Sequence, residues 1–171
     1  MIRKILQPII LLSLLLCQSL HAQEEKYIGL FLYNFTKFFD WPAEVKSGDF
    51  VINVLGHESV AKELIRLTNQ KKVGAQNIVI KPLSNVAEAG KCQIMFVGFW
   101  HSRYLPQVVE KIGSEPCLII TEKEGLLQEG SAINFLIMDN TIKFELKKGN
   151  ALSRGLKVDP RIAELAVHVE E

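Results

Sequence analysis

Apolar residues change their period along this chain, and each change predicts a different element. From 27 to 40, Ile28, Phe31, Leu32, Phe35 and Phe39 recur at helical spacing. Tyr27, Leu30, Tyr33 and Trp41 form a second apolar side, broken only by Asn34, Lys37 and Asp40. The helix stops at Pro42, and Trp41 before it is pushed toward extended geometry. Phe50 to Leu55 reads as a strand, Gly56 as a bend and Ser59 as the cap of a helix reaching about Thr68. Asn77 to Lys81 is a strand ended by Pro82. Cys92 to Val97 and Cys117 to Thr121 are unbroken apolar runs, as in strands covered on both faces. Between them Tyr104 to Ile112 is helical, with Pro106 in the first turn. The period then drops to two. Ile133, Phe135 and Ile137, then Ile142, Phe144 and Leu146, alternate around Asp139-Asn140, the signature of a hairpin. Asn150 to Arg154 and Pro160 to Val167 close the chain as short helices. This order predicts one α/β domain, a mixed and mostly parallel sheet with helices on both faces and a C-terminal β-hairpin.

The first 22 residues read differently. Arg3 and Lys4 precede an apolar run from Ile9 to Leu16, and Ser19-Leu20-His21-Ala22 ends on a small residue. The pattern predicts a secretory signal over 1–22, cleaved near Ala22, and a mature domain over 23–171. Its apolar run is shorter than the ~20 residues that span a bilayer. Loss of Arg3 and Lys4 takes the formal charge from +1 to −1. No Lys or Arg run is long enough for nucleic acid or an anionic membrane surface. Cys92 and Cys117 would then be the two cysteines left in an oxidising compartment. They open neighbouring strands and are either a disulfide or two packed thiols.

Residues 27 to 42 hold seven of the fourteen aromatic side chains. So many rings demand a cover, either the domain's own core or a partner. Phe31, Phe35 and Phe39 are expected inward; Tyr33, Lys37 and Trp41 are expected outward.

Catalytic signals are sparse. Gly56-His57-Glu58-Ser59 lacks the glycines of a dinucleotide loop and the Gly-Lys of a phosphate loop. His57, His101 and His168 have no metal-ligand spacing. His101-Ser102 has no orienting acid in sight. No metal, cofactor or enzymatic activity is therefore expected. The sheet edge at Gly56, Phe99-Trp100-His101 and Glu122-Lys123-Glu124 remains a place for a small ligand.

Leu32-Tyr33-Asn34-Phe35-Thr36-Lys37-Phe38 with Trp41-Pro42 resembles the entry signature of the YfiR family of periplasmic proteins. Val54-Leu55-Gly56, Cys92 to Val97, Gly130 with Ile133-Asn134-Phe135, Ile142 to Leu146, Ala151, Gly155 to Val158 and Leu165-Ala166 follow in matching order. The resemblance covers roughly residues 27 to 167. It implies a non-catalytic periplasmic regulator, often a homodimer. Such a protein restrains the outer domain of an inner-membrane signalling protein, typically a diguanylate cyclase, and so lowers cyclic di-GMP and biofilm formation; a sensor kinase is the alternative partner. Carried to this chain, Tyr33, Asn34, Lys37, Trp41 and Pro42 become the partner-binding or scaffold candidates.

Overall fold

The computed structural model describes residues 23 to 171 other than Asn140. The expected signal segment with its cleavage point at Ala22, and the Asn140 half of the hairpin turn, lie outside the described residues.

Helix α1 runs to residue 35 from the start of the described chain. Strands β1 (Phe39–Asp40) and β2 (Phe50–Leu55) lead to helix α2 (Glu58–Thr68). Next come β3 (Lys72–Val73), β4 (Gln76–Leu83), β5 (Ile94–Val97), helix α3 (Leu105–Ile112) and β6 (Leu118–Thr121). The chain ends with β7 (Ile133–Met138), β8 (Thr141–Lys147), α4 (Lys148–Leu152), β9 (Lys157–Val158), α5 (Arg161–Leu165) and β10 (His168–Glu170). The main sheet has the order β10-β8-β7-β6-β5-β2-β4-β3, and β1 pairs with β9 beside it. β4, β2, β5, β6 and β7 are parallel; β7 and β8 form the expected antiparallel hairpin.

The unbroken apolar runs are explained by two cores. Successive strand side chains point to opposite faces. Phe50, Ile52, Val54, Ile94, Phe96, Leu118 and Ile120 feed one core, closed by Ile28, Leu32 and Phe35 of α1 and by Val60 and Leu64 of α2. Met95, Val97 and Ile119 feed the other, closed by Leu105, Val108 and Ile112 of α3. α1 and α2 touch at Gly29, where a Cβ would lie 3.3 Å from Glu63 Cγ.

Four local expectations need correction. The first helix ends at 35, not 40. The Thr36 hydroxyl donates to the Tyr33 carbonyl at 2.6 Å, and the next amides bond three residues back. This frees Phe39 to pair with Val158 as a strand. Pro82 does not end β4, because β3 pairs only with Gln76 and Asn77; the missing N–H of Pro82 faces no strand on that side. Ser59 is not the cap of α2: His57 holds that position, without a side-chain bond to the helix. Finally, the last helix stops at Leu165, and His168–Glu170 joins the sheet parallel to β8. Its parallel partner lies far back in sequence, so no local pattern announces it.

Candidate functional site

α1 crosses the sheet from the carboxyl ends of the parallel strands to their amino ends, so its two ends build two different surfaces.

At the amino ends, Tyr33 is half-buried and Lys37 exposed. Lys37 Nζ stands 4.7 Å from the Tyr33 ring centroid, and Lys71 Nζ stands 4.3 Å from it. Lys37 also donates to Asn34 Oδ1 at 3.0 Å. Three of the five signature residues, Tyr33, Asn34 and Lys37, thus form a cationic, aromatic patch completed by Lys71, which no local pattern links to them. Two ammonium groups held over one ring attract carboxylates and repel cations.

Trp41 does not belong to that patch. It is 4 % exposed, packs edge-on against Phe50 at 4.8 Å, and donates Nε1–H to the Gln93 carbonyl at 3.1 Å. The expectation that Trp41 points outward is therefore wrong: the early helix end swings the indole into the core. Pro42 beside it is half-buried and precedes the tight turn Ala43–Val45. Gln93, also missed, ties this turn down. Its Oε1 accepts the Val51 N–H at 2.7 Å and its Nε2 donates to the Val45 carbonyl at 3.2 Å.

At the carboxyl ends, Gly56, His57, Phe99, Trp100 and Glu122 line one cavity of about 340 Å³. Gly56 has φ +70, and a Cβ there would fall 1.9 Å from His101 Nδ1, so only glycine fits. Glu122 Oε1 meets His57 Nε2 at 3.4 Å, and its Oε2 accepts the Phe99 N–H at 2.8 Å. This carboxylate ties three loops together. The loop after β6 is anchored from below by Asn134, a buried residue of β7. Oriented by its neighbours, the Asn134 amide donates to Thr121 Oγ1 and Ser131 Oγ, and its carbonyl accepts the Leu126 N–H at 3.0 Å. A lone polar residue inside an apolar strand was the available signal for it. Ser102 is buried and donates to the Gly98 carbonyl at 3.3 Å, so the His101-Ser102 pair is not arranged as nucleophile and base.

His57 has a raised pKa, chiefly because its ring is hydrogen-bonded to Glu122; burial opposes the shift, and Glu25 on α1 adds to it. A raised folded-state pKa stabilises the fold fully below the ordinary value of 6.5 and loses that contribution as pH rises through the raised value. Wild-type melting temperature is therefore expected to fall over that interval. His57→Gln is expected to flatten the slope there, as read by thermal denaturation at a series of pH values.

The cysteines are close as well. β5 and β6 are parallel neighbours, and Cys92 Sγ lies 3.5 Å from Cys117 Sγ, both as free thiols. Burial pushes the Cys117 thiol well up, and Cys92 adds to the shift.

The model of the YfiR/HmsC-like family matches residues 26–167, nearly the whole described chain. The chain belongs to the YfiR/HmsC-like family. A search of curated proteins finds no match. YfiR/HmsC-like membership supports a regulatory role. No described helix is long and apolar enough to cross a membrane.

Proposed function

We propose that this chain is exported with cleavage near Ala22 and restrains the outer domain of an inner-membrane signalling protein of the diguanylate cyclase type. Restraint lowers cyclic di-GMP and biofilm formation. Family membership supports the class of function. The patch of Tyr33, Asn34, Lys37 and Lys71 is the observation that carries the contact, because it joins an aromatic anchor to two positive charges. It fits an acidic loop on the partner. Trp41 and Pro42 shape the turn behind the patch and act as its scaffold. The protein works by occupancy: bound better to the silent state, it shifts the partner by the difference in affinity. Moving a partner from mostly active to mostly silent takes on the order of 5 kcal/mol. Such a protein commonly acts as a homodimer, a state that sedimentation of the purified chain would show.

Charge reversal tests the contact. Lys37 and Lys71 are exposed, so Lys37→Glu with Lys71→Glu leaves the core intact. Capture of a membrane cyclase from solubilised inner membranes is expected to drop by about a hundredfold, in the range of lost central interface contacts, and cellular cyclic di-GMP to rise. Undiminished capture by the double variant places the contact elsewhere.

The carboxyl-edge cavity favours a second reading, a small-molecule-binding accessory protein of a sensor kinase.

A further inference from the structure

We propose that the crevice at the carboxyl ends of the strands binds a small organic cation, an ammonium group carried on an aromatic or aliphatic body. The crevice consists of adjoining hollows of about 270, 490 and 340 Å³, within the size range of small-ligand sites. Glu24 borders all three, and Phe99 and Glu122 border two. The location is where open α/β sheets receive ligands.

Charge decides the class of ligand. The walls carry the carboxyl groups of Glu24, Glu25, Glu58, Glu122 and Glu124, an excess of negative charge that outweighs the α-ammonium group cleavage near Ala22 would leave on Gln23, and among the described lining residues there is neither a lysine nor an arginine. Glu122 is already engaged by His57 and the Phe99 amide, and Glu58 by Lys62 at 2.9 Å. Glu24 and Glu124 have no ion-pair partner among the described residues. An anion entering here meets like charge, whereas a cation meets carboxylates that need little rearrangement.

Aromatic rings supply the second half of the recognition. Trp100 is 80 % exposed and stands edge-on to Phe99, their centroids 5.3 Å apart. Indole is the best cation–π acceptor among side chains, and an exposed ring has a free face to offer. Phe135, Ile137 and Ile142 give the apolar body of the ligand its floor. The site lies at the opposite end of α1 from Tyr33 and Lys37, so the inference does not depend on the proposed partner.

Phenethylammonium and its isosteric anion, 3-phenylpropionate, distinguish the outcomes by isothermal titration of protein expressed from the full sequence. Saturable binding of phenethylammonium is expected, with the anion weaker by about tenfold or more. Trp100→Ala, and separately Glu24→Gln with Glu124→Gln, are each expected to weaken phenethylammonium by about tenfold. All three positions lie at the rim rather than in either core, and circular dichroism verifies the fold of each variant. Absence of saturable binding at millimolar ligand overturns the proposal, as does equal binding of the anion. Dissociation of a dimer by Trp100→Ala in sedimentation also overturns it, because the ring then belongs to a contact with a second copy of the chain.

Discussion

Alanine in place of Trp41 is expected to lower the unfolding free energy by about 3–5 kcal/mol, the usual cost of removing a buried aromatic side chain. The indole fills the space between Phe39 and Phe50, with centroid distances of 6.5 and 4.8 Å. Its N–H also satisfies the Gln93 carbonyl. Alanine would leave a cavity beneath the turn that carries Pro42 and Val45. For a domain of this size the loss corresponds to a fall in melting temperature of ~10 °C or more. Trp41→Phe keeps most of the ring volume but loses the hydrogen bond, at a cost of about 1–2 kcal/mol. Denaturant titration of the three proteins gives the comparison. If Trp41→Ala melts like wild type while losing its membrane partner, the indole is an interface residue and its burial in the monomer is irrelevant. Otherwise weakened capture by this variant reports a damaged scaffold, and Lys37 and Lys71 are the better probes of the contact.

Oxidation of the Cys92–Cys117 pair is expected to stabilise the domain by about 3.5 kcal/mol, the chain-entropy value for a loop of this length. The sulfurs already lie 3.5 Å apart across adjacent parallel strands. Closing the bond therefore requires local side-chain movement more than strand movement. The reaction also has an entrance. Half-buried Cys92 lines a surface hollow of about 190 Å³ with Lys91, Lys111 and Glu115. Thiolates attack disulfides, and the buried Cys117 thiol is held well above its ordinary range. Exchange with an external oxidant should therefore begin at Cys92, and Cys117 should resolve the mixed disulfide. Intact mass is expected to fall by two hydrogens, and the denaturation midpoint to rise. Cys92→Ser should abolish both changes, without placing a hydroxyl in the fully buried Cys117 position. Oxidised protein with an unchanged midpoint would show that strain in the closed bond cancels its entropic benefit.

The sheet was readable because its strands are buried on both sides. Ile94 to Val97 and Leu118 to Thr121 carry apolar residues at every position or nearly so, and Ile133, Phe135, Phe144 and Leu146 of the hairpin all face the core. Local pattern and tertiary burial agree there, so class, strand sequence and hairpin follow from the chain alone. Family likeness was readable from particular residues in order, led by Leu32 to Phe38 with Trp41-Pro42. Elements whose position depends on a distant partner were not readable. The stretch from Phe38 to Trp41 keeps a helical apolar period, yet Asp159 donates its amide to the Phe38 carbonyl at 2.8 Å and draws the segment into an extended pair. Period alone cannot reveal that competing bond, and Trp41 was misplaced as a result.

Fold class was therefore written in hydrophobic spacing, which depends only on which side of each element faces oil or water. The recognition surfaces were not. Lys71 reaches Tyr33 from across the chain, and Glu24 comes to stand near Phe99 and Glu122 because α1 traverses the whole sheet. Charges and rings far apart in sequence acquire a shared field only when packing brings them within a few ångströms, since in water their interaction is weak and salt screens what remains.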